Sequence, residues 1–290
     1  NALGEFARSW TPRRERRGYA KRNQLKSSMN IPIYQIDAFT SKPFGGNPAA
    51  VCPLESWLPD ETMLQIAAEN NLAETAFFVK AGDTYEIRWF TPAVEINLCG
   101  HATLASAYVI FNCLGLEEKT IGFHSHLSGD LGVEKQGDLL VLDFPAYGVH
   151  ETEAPAALID ALGKTPLKAW ETQGNMIMLI FESETQVLSI EPDMSALAKV
   201  PYDEVIVTAP GDGSDFSTRM FAPKIGIPED PVTGAIHCSL IPYWAERLGK
   251  TKLFAKQVSR RGGELFCELH GGRVRIGGSA TLFLKGEIYV

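Results

Sequence analysis

The sequence predicts an α+β fold of two similar halves, and three observations carry that prediction. Residues 98–116 contain no Asp, Glu, Lys or Arg, so the helix that opens at Gly100-His101 is apolar on every side and belongs in a core. At roughly a dozen residues it is too short to span a membrane. Phe90-Thr91-Pro92 and Cys99-Gly100-His101 recur 131 to 134 residues later as Phe221-Ala222-Pro223 and Thr233-Gly234-Ala235, ahead of a second apolar run at 236–241. Around both helices lie short segments separated by Gly and Asp, the pattern of β-meanders. If the repeat is structural, each half brings a helix N-terminus to one shared cleft. Such an end carries unpaired N–H groups and a positive dipole, and suits a carboxylate or phosphate.

Taken in order, residues 31–39 alternate well enough for a first strand. Residues 44–51 (FGGNPAAV) form a turn into a second strand. Gly45 and Gly46 allow positive φ there, and Asn47 is held extended by Pro48. With no following Lys and no G-x-G-x-x-G, this reads as a turn and not as a phosphate cradle. Asp60 is placed to N-cap a helix through Met63, Leu64, Ile66 and Ala67 that ends at Asn70-Asn71. Glu74 heads an apolar strand, and residues 85–90 alternate into the central helix. Short strands follow at 120–126, 132–135 and 139–144. The stretch 147–157, rich in Pro, Glu and Ala, reads as an inter-domain linker. The expected domains are therefore 29–146 and 147–290, with room for the last strand to return to the first domain. A helix at 157–162 and strands at 176–182, 204–208 and 217–221 lead to the second helix, 234 to about 248. Pro242 inside it should kink or interrupt it. Strands at 254–258, 264–269, 272–276 and 280–284 complete the chain, and Arg260-Arg261-Gly262-Gly263 reads as a solvated or anion-binding turn.

At 290 residues and 45% hydrophobic content the chain can bury a substantial core. Its net charge of −8 conceals an asymmetry. Residues 1–28 carry eight Lys or Arg against Glu5 and Glu15, and the remainder holds 19 basic against 33 acidic residues. An acidic body argues against nucleic acid or an anionic membrane as partner. Residues 1–28 lack helix or strand periodicity and precede Met29. They read as a leader or an expression-derived segment outside the fold. Five cysteines, odd in number and without C-x-x-C spacing, fit a reducing compartment. The expected location is the cytoplasm.

Glu74, His101 and Asp230 are the candidate catalytic side chains. Glu74 is either a solvent-facing strand residue or a carboxylate that loses hydration and so gains proton affinity. His101, in the first turn of the buried helix, is expected to be held neutral by the positive dipole end. Asp230 precedes the second helix and either caps it or binds a substrate amine or hydroxyl. A serine hydrolase would need a G-x-S-x-G elbow, which the sequence lacks. His124 and His126 flank Ser125 on a strand and point to one face without a third ligand nearby, so solvated strand histidines are a better reading than a metal site.

Together FGGNPAAV (44–51), NLAETAF (71–77), WFTPAVEINLCGHATLA (89–105), EDPVTG (229–234) and GRVRIGG (272–278) resemble the PhzF family of phenazine-biosynthesis-like isomerases. The resemblance covers 29–290 and implies the diaminopimelate epimerase fold: two similar domains, each a β-barrel-like sheet around a central helix. It implies that Glu74 is the general acid/base moving a proton between carbons of a small carboxylic-acid substrate, assisted by His101 and Asp230. The implied substrate-binding set is Gly100, Gly234, Ala235, Cys99 and Asn47. No cofactor or metal is implied, and the protein is expected to be a homodimer.

Two positions depart from that pattern. Ala73 and Ala235 stand where family members often have Ser, which removes two hydroxyl donors. Two alternatives stay open. One is a cofactor-independent epimerase or racemase working through Cys99, although Thr233 occupies the position of a second thiol. The other is a non-catalytic small-acid-binding protein.

Overall fold

The computed structural model describes residues 29–290; the reading of 1–28 as a leader lies outside the described residues. The first half contains β1 (Asn30–Ala38), β2 (Asn47–Leu54), α1 (Asp60–Asn70), β3 (Glu74–Ala81), β4 (Thr84–Phe90), β5 (Glu95–Ile96) and α2 (Gly100–Tyr108). It continues through β6 (Thr120–Ser125), β7 (Gly129–Gln136) and β8 (Leu139–Pro145). The second half contains β9 (Val149–Thr152), α3 (Ala156–Leu162), β10 (Lys168–Thr172), β11 (Met176–Ile180), α4 (Glu184–Leu188) and α5 (Met194–Leu197). Then come β12 (Glu204–Pro210), β13 (Phe216–Ala222), β14 (Ile227–Asp230) and α6 (His237–Leu248). The chain ends with β15 (Lys252–Gln257), β16 (Gly263–His270), β17 (Arg273–Gly278) and β18 (Ala280–Tyr289). Among the described residues no helix is long and apolar enough to cross a membrane.

The repeat that was a few residues deep in sequence holds strand for strand. β1–β2, β3–β4, β6–β7 and β7–β8 pair antiparallel, and so do their counterparts β10–β11, β12–β13, β15–β16 and β16–β17. β2–β3 and β4–β6 are parallel, as are β11–β12 and β13–β15. The helix between the fifth and sixth strand of each set is α2 in one half and α6 in the other. The halves join where β8 pairs antiparallel with β17, Leu142 opposite Ile276. Those two residues are 134 apart, the same offset that relates Gly100 to Gly234. Equivalent residues therefore meet across the seam, the mark of a pseudo-two-fold relation. The final strand, β18, returns to pair with β1.

One core runs through both halves and around both central helices, taking in Trp89, Leu104, Ile110, Leu142, Met178, Leu240 and Ile276. Smaller clusters lie on the outer faces, under α1 in the first half and under α3–α5 in the second.

Several local expectations change. Asp60 is the first residue of α1, not its cap; Pro59 takes that place, and the Asp60 carboxylate pairs with Arg88 at 2.8 Å. Pro242 leaves α6 unbroken. A proline removes the N–H that would reach the carbonyl four residues back, here Cys238, and the Tyr147 N–H fills that carbonyl at 2.8 Å. The predicted linker thus supplies the missing donor, and part of it forms β9, paired with β10. α6 begins at His237, three residues later than expected. Gly234 and Ala235 form a tighter turn with i→i+3 bonds to His237 and Cys238.

The Arg261 side chain is partly exposed, yet its guanidinium is committed within the fold. Its guanidinium donates to Asp37 Oδ1 and to the carbonyls of Gly45 and Gly46, each at 2.8 Å, while Gly46 N–H donates to Gly262 O at 2.8 Å. The two turns clamp each other. Gly46 has φ +61°, and a β-carbon there would lie 2.0 Å from Ala38 O, so only glycine fits. Asp37 is 1% exposed, and losing Arg261 leaves a buried carboxylate held only by the Phe44 N–H at 2.9 Å. Arg261→Met should lower stability by about 3 kcal/mol, a drop in Tm of roughly 6–12 °C, measured by thermal denaturation. An unchanged Tm would show the clamp to be dispensable.

Candidate active site

The two helix starts meet backbone to backbone. A β-carbon built on Gly100 would lie 3.6 Å from Gly234 Cα, and one on Gly234 would lie 3.7 Å from Gly100 Cα. The first intrahelical bond of α2 is Thr103 N–H to Cys99 O at 3.1 Å, and that of the second turn is His237 N–H to Gly234 O at 3.1 Å. The N–H groups of Gly100, His101, Gly234 and Ala235 precede those bonds and lie at the positive ends of the two helices. The residue at position i+4 closes each start the same way. Thr103 Oγ1 donates to Cys99 O at 2.6 Å, and His237 Nδ1 donates to Thr233 O at 2.8 Å. Burial pushes His237 down to about 4, so it is neutral.

All three candidate catalytic side chains converge beside these starts. Glu74 opens β3, in register with Ala49 of the parallel strand β2, which itself opens at Asn47. Glu74 is 6% exposed, so the solvent-facing reading does not hold. Its Oε2 lies 3.0 Å from His101 Nε2, close enough for a charge contact yet misaligned for a hydrogen bond. Cys99 Sγ sits 3.4 Å from His101 Nδ1 and 4.0 Å from Nε2. Asp230, the last residue of β14, accepts from Asn47 Nδ2 at 2.8 Å and from the Thr233 hydroxyl at 2.5 Å. Its carboxylate is engaged by side chains, and so it does not cap the helix. Asn47 also donates to Val232 O at 2.9 Å and approaches His101 Nδ1 at 3.2 Å. One buried amide thus ties the first half to the second.

The electrostatics follow from burial. Burial by itself disfavours a charged His101. The neighbouring Cys99 and Glu74 act against it and leave His101 well above its ordinary value. The pull of the helix end toward a neutral ring is thus opposed by the two acidic neighbours, Cys99 and Glu74. Burial, then the Glu74 charge, pushes the Cys99 thiol up, so it keeps its proton at neutral pH. Burial raises Asp230 to about 6, with Glu74 adding to the rise and His101, Thr233 and Asn47 opposing it.

Gln257 is a site residue for which the sequence offers no signal beyond a polar position in an apolar strand. It is fully buried at the end of β15. Its Oε1 accepts from Thr233 N–H at 2.8 Å; its Nε2 donates to Asp230 O at 2.8 Å and to Thr233 Oγ1 at 3.2 Å. Of the expected binding residues, Gly234 is buried, Gly100 half-buried and Ala235 exposed. His124 and His126 stay on the surface, paired with Asp130 and Glu95. Glu74, Cys99 and His101 do bring donor atoms within 4.8 Å of one another.

A folded-state value near 6 against an ordinary 3.8 means that the folded protein holds the Asp230 proton more tightly than the unfolded chain. This contribution to stability is complete below the unfolded value and lost as pH rises through about 6. Glu204, raised to about 7 by burial and then by Asp230, titrates beside it, so a variant is needed to isolate Asp230. Between about pH 4 and 7 the wild type should lose about 2–3 kcal/mol of stability relative to Asp230→Asn, measured by urea unfolding. Parallel pH profiles for the two proteins would contradict the assignment.

Comparison with known proteins identifies the family. Residues 36–286 match the PhzC-PhzF family model, described as phenazine biosynthesis-like protein. An uncharacterized isomerase of Pseudomonas aeruginosa is 50% identical over 260 residues, covering 90% of this chain and 99% of its own. The crystal structure of a PhzF-family phenazine biosynthesis protein from Enterococcus faecalis has a TM-score of 0.88 at 49% identity, covering 90% of this chain and all of that one. A hydroxyproline epimerase from Agrobacterium vitis shares the fold at a TM-score of 0.61 and 11% identity, over 92% of this chain and 94% of its own. By sequence and by fold, the chain belongs to the PhzC-PhzF family of phenazine biosynthesis-like proteins.

Proposed function

We propose that this isomerase moves a proton between two carbons of a small carboxylic acid, with Glu74 as the proton carrier and no cofactor. The observation that carries the reading is a buried carboxylate beside two helix starts in mutual contact. The substrate carboxylate docks on the N–H groups of Gly100, His101, Gly234 and Ala235, where both dipoles favour negative charge. Glu74 takes the proton from a carbon acidified by the substrate's own conjugation and returns it to another carbon on the same face. The electrons left behind spread toward the carboxylate, and the charged His101 ring stabilises them as they build up. Asp230, held by Asn47 and Thr233, binds a donor group of the substrate. Closure around substrate brings Glu74 and His101 into better alignment, as catalytic hydrogen bonds often tighten on binding.

Ala73 and Ala235 leave the site with backbone donors where two hydroxyls are common, so the substrate need not be the phenazine precursor. Screening small cyclic and amino-acid carboxylates for deuterium uptake from heavy water identifies it. Glu74→Gln is isosteric and removes only the proton carrier. Turnover and deuterium uptake in that variant should fall by about 10²–10⁴ while circular dichroism and Tm stay near wild type. Retained turnover sinks the mechanism.

The thiol reading rests on Cys99, placed beside His101 at the start of α2. A protonated thiol opposite Thr233, not a second thiol, is poorly set for two-sided epimerisation. Cys99→Ala should reduce kcat/KM by less than about tenfold, under about 1.4 kcal/mol of transition-state energy. A loss as deep as that of Glu74→Gln would transfer the proton chemistry to the thiol.

A further inference from the structure

We propose that Glu204 binds an ammonium group of the substrate, in the space that Ala235 leaves where the first half holds His101, and that the substrates are therefore amino acids. This deepens the isomerase reading and rests on it: with the substrate carboxylate docked on the two helix starts, Glu204 supplies the contact that sets the substrate class. Glu204 is the counterpart of Glu74 in the internal repeat, 130 residues later. Glu74 opens β3 in register with Ala49 of the parallel strand β2, and the next residue, Thr75, lies opposite Phe90. Glu204 opens β12 in register with Met176 of the parallel strand β11, and the next residue, Val205, lies opposite Phe221. Phe90 and Phe221 are the phenylalanines of the repeated Phe-x-Pro.

Both glutamates are on the inner face of their half. Side chains alternate along a strand, so Glu74 shares a face with Ala76 and Phe78, and Glu204 shares one with Ile206. Those three apolar residues belong to the common core around α2 and α6, whereas Phe77, Val205 and Val207 belong to the outer clusters. What meets each carboxylate differs. Gly100 corresponds to Gly234, so His101 corresponds to Ala235. Thr103 and His237 show the same alignment, closing the carbonyls of Cys99 and Thr233 in the same way. In the first half the His101 ring comes to 3.0 Å from Glu74 Oε2. In the second half the side chain at 235 stops at the β-carbon and is exposed. Glu204 Oε2 is buried and has no hydrogen-bond partner among the described residues. The repeat thus leaves a space about the size of an imidazole beside a carboxylate.

Charge selects what fills that space. Glu204 lies close enough to Asp230 to feel its charge: burial, then Asp230 and Asp203, holds Glu204 at about 7. Asp203 has Lys224 at 2.8 Å, and Asp230 has the neutral donors Asn47 and Thr233. Glu204 has neither a cation nor a donor, a costly state for a carboxylate oxygen out of water. An ammonium group supplies both at once through a charge-assisted hydrogen bond. An amino acid then matches the site at each end, its carboxylate on the N–H groups of the helix starts and its ammonium at Glu204 with Asp230 nearby. A plain carboxylic acid answers only the first.

Two measurements test this. Ala235→His rebuilds the missing ring at an exposed position. By NMR, that histidine should titrate about one pH unit or more higher than the same histidine in the Ala235→His, Glu204→Gln double variant. Equal midpoints would mean that Glu204 does not face position 235 and would overturn the proposal. Calorimetry then compares proline with cyclopentanecarboxylate and pipecolate with cyclohexanecarboxylate, pairs that differ in a ring ammonium against a methylene. The wild type should bind at least one of the two amino acids about tenfold or more tighter than its plain acid, and Glu204→Gln should bind the members of each pair alike. No preference for the amine in the wild type, or a preference that survives in Glu204→Gln, would also overturn it. Neither readout needs turnover, so the loss or survival of deuterium uptake in Glu74→Gln decides the proton chemistry separately.

Discussion

The structure depends on one contact: the backbones of Gly100 and Gly234 touching across a pseudo-two-fold relation. A β-carbon on either glycine would already reach van der Waals distance of the other, so little room is left between the helix starts. With the starts in contact, two sets of unbonded N–H groups and two positive dipole ends face one small volume. The β8–β17 seam holds the contact in register by pairing Leu142 with Ile276. The common core around α2 and α6 holds it by packing.

Burying Glu74, His101 and Asp230 together would be costly if each stood alone. The fold offsets that cost with a network that crosses between the halves. His101 lies against Glu74, Asn47 links His101 to Asp230, and Thr233 and Gln257 hold Asp230 from behind. One ring thus lies near two buried acids, and burial still raises Asp230 to about 6. Sites of this kind favour chemistry over stability: the groups are held in unequal protonation states by their surroundings.

Much of this was legible in the chain. A charge-free helix could only be buried, and the short Phe-x-Pro and x-Gly-x repeat predicted two equivalent halves. Both readings rest on patterns that persist whatever the neighbours are. The misses have a different character. Asp60 obeyed the capping rule by type but found Arg88, a partner 28 residues away. Pro242 should have broken a helix, yet Tyr147 supplied the lost hydrogen bond from another segment. Arg261 looked like a surface turn because its acceptors, Asp37, Gly45 and Gly46, lie more than 200 residues earlier. Gln257 gave no local sign at all.

The sequence by itself determined what must be hidden and what repeats: two apolar helices opened by glycine, short strands between them, and the residue types near each opening. Hydrophobic period and backbone freedom are local properties, so they can be read along the chain. Only the tertiary structure decided that Glu74 is dry, that His101 lies between Glu74 and Cys99, and that Asn47 and Gln257 hold Asp230. Those outcomes depend on electrostatic and hydrogen-bond partners brought within about 3 Å from distant segments. At that range, distance and burial set the energy, and neither is written in the order of the residues.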